Sequence, residues 1–461
     1  MNVPPADAAG HRIGPIQLAP GVLPAQVAVF VTVVISALCV VTFLPLMQAY
    51  VFTEILHVPK AEQGRLAGNL VTTQQVAVLC FVGLAGSLVD RLGRKRVLVA
   101  AILGYTVCMG LYPLAGGVAM LFALQFVFGA LSTGHIAGTA TMIADYPVNA
   151  SRGKFVAAMI LLQSAVAAVL VGYVGARLPG WLVAAGAGPA EAGRWAFWIL
   201  GGLALAGAAL AVAMLKEPPR ASAPAAPART LGQGLRAFWG NLRLVVAHGR
   251  RNPRFGLVMT MGLVIRSDYF VMLSFVAVWV SNAAGPAGVS SVDALKTAGA
   301  LLLTFKLATA AAQAVFGFAA DRIERSRLLV AALLCTGLAL CSTALISDVF
   351  GPGMFIAVGL IGVTESALIV CGQSMLGEEA PPELRGSAMG IFYFCGTLGV
   401  VLMSAIAGRL FDSIGYSAPF VMVGALNLVF AVLGALLVLR HRGSEGPVGA
   451  HGDKAGLPHA G

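Results

Sequence analysis

The feature that most constrains this chain is a charged turn that occurs twice, 231 residues apart. The first copy reads GSLVDRLGRKR at residues 86–96, and the second reads GFAADRIERSR at residues 317–327. Each copy ends one long apolar segment and begins the next. A turn duplicated in this way indicates a chain built from two equivalent halves, with apolar segments on both sides of each turn.

Twelve segments are long and apolar enough to cross a membrane, which takes about 20 residues in a helix. The chain is 58% hydrophobic and 11% charged, whereas soluble domains carry about 25% charged residues. The segments lie at about residues 27–52, 62–88, 97–114, 118–144, 154–175, 195–215, 255–282, 295–319, 328–347, 354–377, 388–408 and 418–439. We therefore predict an all-α membrane protein of 12 transmembrane helices in two pseudo-symmetric six-helix bundles.

Polar and proline-rich stretches divide the chain into five parts. We predict a tail at 1–26, a bundle at 27–215, a linker at 216–254, a second bundle at 255–440 and a tail at 441–461. In the linker, apolar residues recur at helical spacing between 231 and 246, with arginines among them. This pattern is typical of an amphipathic helix that lies on a membrane surface. A solvated linker is the alternative.

The Lys and Arg residues are distributed unevenly along the chain. If the turn at 86–96 is cytoplasmic, 22 of the 30 lie on the cytoplasmic side and six on the outer side. The positive-inside rule then predicts a multi-pass protein of the cell (inner) membrane with both termini in the cytoplasm. The net charge of +11 would meet anionic lipid headgroups of the bilayer, so we expect no nucleic-acid partner. We also expect the protein to be a monomer.

A second pair of motifs supports the duplication. Asp145 is followed by six residues and then Arg152, and Glu378 is followed by six residues and then Arg385. In both pairs the acidic residue ends the fourth segment of its half, and the arginine precedes the fifth. With these pairs, the two turns and the twelve segments, the chain resembles the major facilitator superfamily over essentially its whole length.

The resemblance implies a cytoplasmic charge network that ties the two halves together in the outward-open state. We call this network the latch, and it would consist of Gly86, Asp90, Arg91, Gly93, Arg94, Asp145 and Arg152, with Asp321, Arg325, Glu378 and Arg385 as its pseudo-symmetric copy. Gly93 is suited to a tight turn because glycine accepts backbone angles that other residues avoid. The alternative is that these basic residues only hold the loops inside.

Four ionisable residues lie near the middle of predicted spans, namely Arg266, Asp268, Lys306 and Glu365. A charge at this depth costs at least about 2.5–3.5 kcal/mol on insertion scales, so these side chains should face a cavity or each other. We predict the pairs Asp268–Lys306 and Arg266–Glu365, which an anionic substrate or a proton could open. Two static structural ion pairs are the alternative.

Other polar and aromatic residues at similar depth complete the candidate substrate and ion site. They are Tyr269, His135, Gln75, Gln125 and Tyr393. His135 titrates in a useful range, although a packed, neutral histidine is the simpler interpretation. The first half has no mid-span charges that match those of the second half.

The sequence contains no catalytic, metal or cofactor motif, such as a Walker loop, H-E-x-x-H or a dinucleotide fingerprint. We therefore predict no enzyme and no metal, and expect the energy to come from an ion gradient, with protons as the coupling ion. The predicted function is secondary active transport of a small, anionic organic metabolite by alternating access of the two halves. The alternatives are a proton-linked exporter of drugs or amphiphiles, a uniporter, a lipid flippase, and a non-transporting membrane receptor or scaffold.

Overall fold

The computed structural model describes residues 11–217, 231–320, 322, 324–381 and 384–444. Within these residues, twelve helices are long and apolar enough to cross a membrane, which confirms the predicted number of spans. The first six are α1 (Pro24–Ile55), α2 (Lys60–Leu92), α3 (Arg94–Leu114), α4 (Val118–Asp145), α5 (Asn149–Ala184) and α6 (Pro189–Met214). A shorter helix, α7 (Leu231–Arg251), follows. The second half contains α8 (Pro253–Ala284), α9 (Ser291–Ala320), α10 (Arg325–Leu345), α11 (Pro352–Glu379), α12 (Arg385–Ser413) and α13 (Ala418–Ser444).

The first charged turn joins α2 to α3 through Gly93. Its φ angle is +94°, which lies in the region that favours glycine. A Cβ at this position would also come within 2.7 Å of the Glu217 carboxylate. That carboxylate accepts a hydrogen bond of 2.8 Å from the backbone N–H of Lys95. Glu217 therefore packs against the turn and binds its backbone. In the second copy of the turn, Asp321 lies outside the described residues.

Two of the spanning helices contain a π-helical stretch. The last residues of α1, Val51–Ile55, form a π-helix, and α5 contains a longer π-helical stretch at Ala168–Gly175. Such stretches widen the backbone spiral locally and often occur at functional sites. In α5 the stretch brings the backbone of Gly172 against α9, so it shapes a contact between the two halves.

We call the closed end the end of the bundle that carries the loops at 56–59 and 285–290. Here the Lys60 ammonium donates a hydrogen bond of 3.2 Å to the carbonyl oxygen of Asn282. The Asp412 carboxylate accepts hydrogen bonds from the backbone N–H groups of Gly64 and Arg65, at 2.9 and 2.7 Å. The hydrogen bonds between described residues of the two halves all lie in the part of the bundle nearer to this end.

Glycines let the two halves approach closely near the closed end. A Cβ at Gly68 of α2 would collide with the carbonyl oxygen of Ser404 in α12, and a Cβ at Gly299 of α9 would collide with the carbonyl oxygen of Gly172 in α5. Gly68 and Gly299 are 231 residues apart, the same offset as the two charged turns. We call the boundary between the two halves the seam. The duplication therefore places one glycine contact on each side of this seam.

The opposite end is less closely packed around the described residues of α2 and α12. No atom lies within 4 Å of the position that a Cβ would take at Gly86 or Gly386. Leu88 and Leu92 are exposed there. The structure is therefore one in which the two halves meet at the closed end.

A small β-hairpin precedes α1, within the segment predicted to be a tail. Strands β1 (Arg12–Ile13) and β2 (Ile16–Gln17) pair in antiparallel fashion. The strand β2 also contacts the loop between α4 and α5 and the first turn of α5. The N–H of Val148 donates to the carbonyl oxygen of Gln17 at 3.1 Å, and the N–H of Gln17 donates to the Ser151 hydroxyl at 3.1 Å. The hairpin is short, and its partners lie more than 130 residues away, so local sequence does not reveal it.

Leu18 anchors this hairpin, since its side chain is fully buried. We expect Leu18→Ala to lower the free energy of unfolding by about 2 kcal/mol or more, because it leaves a cavity. The midpoint of thermal unfolding of the purified protein should fall by about 2 °C or more, because the entropy of unfolding grows with chain length. Leu23→Ala is the matched control, because Leu23 is largely exposed. Equal midpoints for the two variants would show that the hairpin does not contribute to stability.

Candidate functional site

The four charged residues predicted from the sequence all lie in the second half. Arg266 and Asp268 are on α8, Lys306 is on α9 and Glu365 is on α11. The ion pairs found among the described residues include none of these four side chains. The predicted pairs Asp268–Lys306 and Arg266–Glu365 are thus not formed in this structure, and each charge has a different neighbour.

Asp268 faces α13 within the second half. It is fully buried, and one of its oxygens accepts a hydrogen bond of 2.9 Å from the side-chain amide of Asn427. The same amide nitrogen donates to the carbonyl oxygen of Val423 at 3.0 Å. Asn427 was not predicted as a site residue, although a single amide within an apolar segment is the signal that could have revealed it.

Lys306 contacts Tyr269 of α8. Its ammonium donates a hydrogen bond to the Tyr269 hydroxyl and lies 4.3 Å from the centre of the same ring. A tyrosine ring attracts a cation through its negative face and supplies an acceptor at its edge. The lysine is therefore held by a tyrosine, and none of the ion pairs among the described residues joins it to a carboxylate.

The side chain of Arg266 extends from α8 towards α12. Its guanidinium carbon is 5.6 Å from the centre of the Phe270 ring, and its Nε has no hydrogen-bond partner in the part of the chain that the structure describes. Gly396 of α12 makes room for this side chain, because a Cβ there would come within 3.1 Å of the Arg266 Cδ.

Glu365 is fully buried on α11. Neither of its carboxylate oxygens has a hydrogen-bond partner among the described residues. It is close enough to Lys306 and to Asp268 to interact with both electrostatically. The second half therefore contains two cations and two carboxyl groups near the middle of its helices, without a direct ion pair between them.

A narrow cavity lies close to Tyr269, the residue that contacts Lys306. It is lined by Leu46 of α1 and by side chains of α8 and α9, including Met272 and Phe305. The Phe305 ring is 6.1 Å from the Tyr269 ring, measured between centres. Because its walls come from both halves, the cavity places Tyr269, and with it Lys306, close to the seam between them.

The predicted polar residues of the first half are not part of the charged cluster. Gln125 donates a hydrogen bond of 2.8 Å to Gln74 and accepts one of 3.4 Å from Gln48. Its neighbour in this network is Tyr112, whose hydroxyl accepts a hydrogen bond from Gln48 at 3.2 Å. Gln75 is also buried, and its carbonyl oxygen has no partner among the described residues.

His135 of α4 contacts α3 within the first half. Its Nδ1 is 3.5 Å from the Tyr105 hydroxyl, and the two rings meet edge to face. The structure thus gives His135 a partner in its own bundle and a packed position. Tyr393, in contrast, is about half exposed (46%), and its hydroxyl accepts a hydrogen bond from Gln373 at 3.4 Å.

Two ion pairs of the predicted latch are present, and each lies within one half. Arg94 of α3 pairs with Asp145 of α4 at 2.6 Å. Arg325 of α10 pairs with Glu378 of α11 at 2.8 Å. These helices occupy equivalent places in the two halves, so the pairs are pseudo-symmetric. In addition, Arg152 donates from its Nε to the carbonyl oxygen of Ala144, at 3.0 Å.

Comparison with known proteins places this architecture in a family. The profile of the Major Facilitator Superfamily matches residues 29–295 and 269–458. The magnetosome protein MamH of Paramagnetospirillum magneticum (strain ATCC 700264 / AMB-1) is 24% identical over 431 residues, which are 91% of this chain and 94% of MamH.

Two solved transporter structures share the fold. A mutant of the nucleoside transporter NupG has a TM-score of 0.67 at 13% sequence identity, and the match covers 90% of this chain and 99% of the NupG chain. The D-xylose-proton symporter has a TM-score of 0.62 at 15% sequence identity, and the match covers 89% of this chain and 96% of the symporter chain. The twelve spans, the duplicated turn and the profile match show that this chain belongs to the Major Facilitator Superfamily, a family of transporters and not of enzymes.

Proposed function

We propose that this chain is a secondary transporter that moves a small organic anion across the cell membrane together with protons. Arg266 is the observation that carries the proposal. It lies near the middle of α8 without an ion-pair partner among the described residues. A cation at this depth is costly unless a group of opposite charge visits it, and a substrate carboxylate would supply that charge.

Lys306 gives the site a second cation. It is held by Tyr269 rather than by a carboxylate, so an anion can reach it without first breaking an ion pair. Two cations and the tyrosine hydroxyls together match the acceptors of a hydroxylated or carboxylated metabolite. The structural neighbours are named for nucleoside and D-xylose transport, and the cations of this chain favour a charged substrate instead.

Ligand-dependent stabilisation of the purified protein tests the charge preference. We expect D-gluconate or a similar carboxylate to raise the unfolding temperature, whereas D-glucose at the same concentration leaves it unchanged. A ligand at 100 times its dissociation constant stabilises the folded state by about 2.7 kcal/mol. Stabilisation by hydrophobic cations, without any by organic anions, would contradict the proposal and favour the exporter of amphiphiles.

Movement between two states follows from the two-halved fold. The structure would be the inward-facing state, because the halves meet at the end opposite to the predicted cytoplasmic turns. The latch would close the other end when the halves rock about the central site. This proposal places both chain termini in the cytoplasm and the closed end on the outer side.

Glu365 would carry the proton. It is buried without a hydrogen-bond partner among the described residues, and an isolated ionised carboxylate in such surroundings is costly. Its proximity to Lys306 would couple protonation of the carboxyl group to binding of the anion. One of the structural neighbours is a proton symporter, which supports coupling of this kind.

We expect Glu365→Gln to remove the dependence of uptake on a pH gradient, because the amide cannot exchange a proton. Anion exchange across the membrane at equal pH should continue, since the two cations remain. Both rates would be measured in proteoliposomes with a labelled anion identified in the ligand screen. Asp293→Asn is the matched control, because that carboxylate is exposed and paired with Lys296. Gradient-driven uptake that persists in Glu365→Gln would assign the proton to another group.

A further inference from the structure

The helix α7 between the two halves carries positive charge alone. Its 21 residues include four arginines, and none of its residues is acidic. The arginines are Arg236, Arg243, Arg250 and Arg251. Among the described residues, no ion pair involves any of them. Their charge is therefore available to a partner outside the chain.

One face of α7 is attached to the second half. Val245 is almost completely buried and belongs to the apolar cluster that contains Phe255 of α8. The His248 and Phe255 rings lie 4.9 Å apart, between centres, in an edge-to-face arrangement. Gly249 and Gly256 also approach closely, because a Cβ at Gly256 would come within 2.8 Å of the Gly249 carbonyl oxygen. The helix is thus held beside the first turn of α8.

The other face of α7 is an exposed stripe of alternating basic and apolar residues. Arg236, Trp239, Arg243, Val246 and Arg250 follow one another at intervals of three or four residues, so they lie along one side of the helix. All five are exposed, Trp239 to 54% and Val246 to 45%. We call these five residues the basic stripe.

We propose that the basic stripe binds the anionic lipid headgroups of the cytoplasmic leaflet. The spanning helix α8 begins at Pro253, two residues after α7 ends, so α7 lies at the level where the span enters the membrane. Arginines near an anionic surface gain about 1 kcal/mol each. Tryptophan prefers the boundary between headgroups and acyl chains, which accounts for the apolar residues between the arginines.

Lipid fits the stripe better than a polyanion such as nucleic acid. Phosphate groups of a nucleic acid would use the arginines but leave Val246 exposed to water, whereas a leaflet accommodates both kinds of side chain. Because α7 is fixed to α8, binding of the stripe would also hold the second half at a defined depth in the leaflet. This inference is independent of which substrate the protein carries.

Hydrogen exchange of residues 231–251 tests the inference in the full-length protein. It would be measured in nanodiscs of pure phosphatidylcholine and in nanodiscs with about 30% phosphatidylglycerol. We expect exchange in the anionic discs to be at least about tenfold slower, and added salt to reduce the difference because salt screens exposed charges. The triple variant R236Q/R243Q/R250Q should exchange equally in both discs.

A second triple variant, R65Q/R194Q/R409Q, is the matched control. It removes the same charge from exposed residues of other helices and should retain the difference between the two lipids. Equal exchange of the wild type in both discs would overturn the inference. Protection that appears only when cytosolic protein is added would also overturn it, and would assign the stripe to a protein partner.

Discussion

Replacement of Arg266 by glutamine is expected to abolish saturable uptake of the transported anion. The guanidinium lies near the middle of α8 with an unpartnered Nε among the described residues, so the substrate would be its main counter-charge. Removal of one member of a buried charged pair costs about 2–5 kcal/mol, which corresponds to a loss of about 30-fold or more in kcat/KM. Initial rates in proteoliposomes, measured over a range of anion concentrations, give this ratio directly.

A second variant separates the charge of Arg266 from its shape, and a third serves as the control. Arg266→Lys keeps the charge but loses the planar fork that binds a carboxylate with two hydrogen bonds, so it should retain part of the activity. Arg409→Gln is the matched control, because Arg409 is exposed and donates to the carbonyl oxygen of Ala405 in its own helix. If Arg266→Gln transported with unchanged kcat and KM, the anion site would have to lie elsewhere.

Substitution of Gly299 by leucine is expected to hold the closed end open and stop the transport cycle. The new side chain would collide with Ala176 and with the backbone of Gly172, and a backbone cannot move aside as a flexible side chain can. Overpacking of this kind typically costs about 1–3 kcal/mol in a closed core. Gly68→Leu should act in the same way on the other side of the seam, through Ser404.

Alkylation of an introduced cysteine measures this opening. In the wild-type background, a cysteine at Ala294, which is buried near the closed end, should react slowly with a membrane-impermeant maleimide added from that side. The rate should rise in Gly299→Leu and should stay low in Gly202→Leu. Gly202 is exposed, and no atom lies within 4 Å of the position that a Cβ would take there, so it controls for the larger side chain alone. Equal rates in both variants would show that the glycine contact does not keep the halves together.

Much of the fold could be predicted from the sequence, because the bilayer sets the length and polarity of a spanning helix. The predicted spans at 97–114 and 118–144 agree with α3 and α4 to within a few residues. The π-helical stretch of α5 could not be predicted, because no residue type signals it. The hairpin at residues 12–17 was also missed, since its stability depends on a distant loop.

The sequence predicts which charges lie in mid-span, and it does not predict which neighbours they meet. Mid-span charges stand out in any apolar segment, and the position of Asp268 two residues from Arg266 correctly predicts that the two side chains face different neighbours. Which neighbour each one meets depends on the rotation of α8 against the adjacent helices. That rotation places Asp268 against Asn427 and leaves Lys306 with Tyr269.

Counterflow tests most directly whether one central site opens alternately to the two sides of the membrane and carries an organic anion between them. Proteoliposomes would be loaded with an excess of the unlabelled anion and diluted into a trace of the labelled one, without a pH gradient. Alternating access to a single site predicts a transient accumulation of label in the wild type, its persistence in Glu365→Gln and its loss in Arg266→Gln. A flat trace in the wild type, for every anion that stabilises the protein, would contradict transport and favour a receptor that binds without moving its ligand.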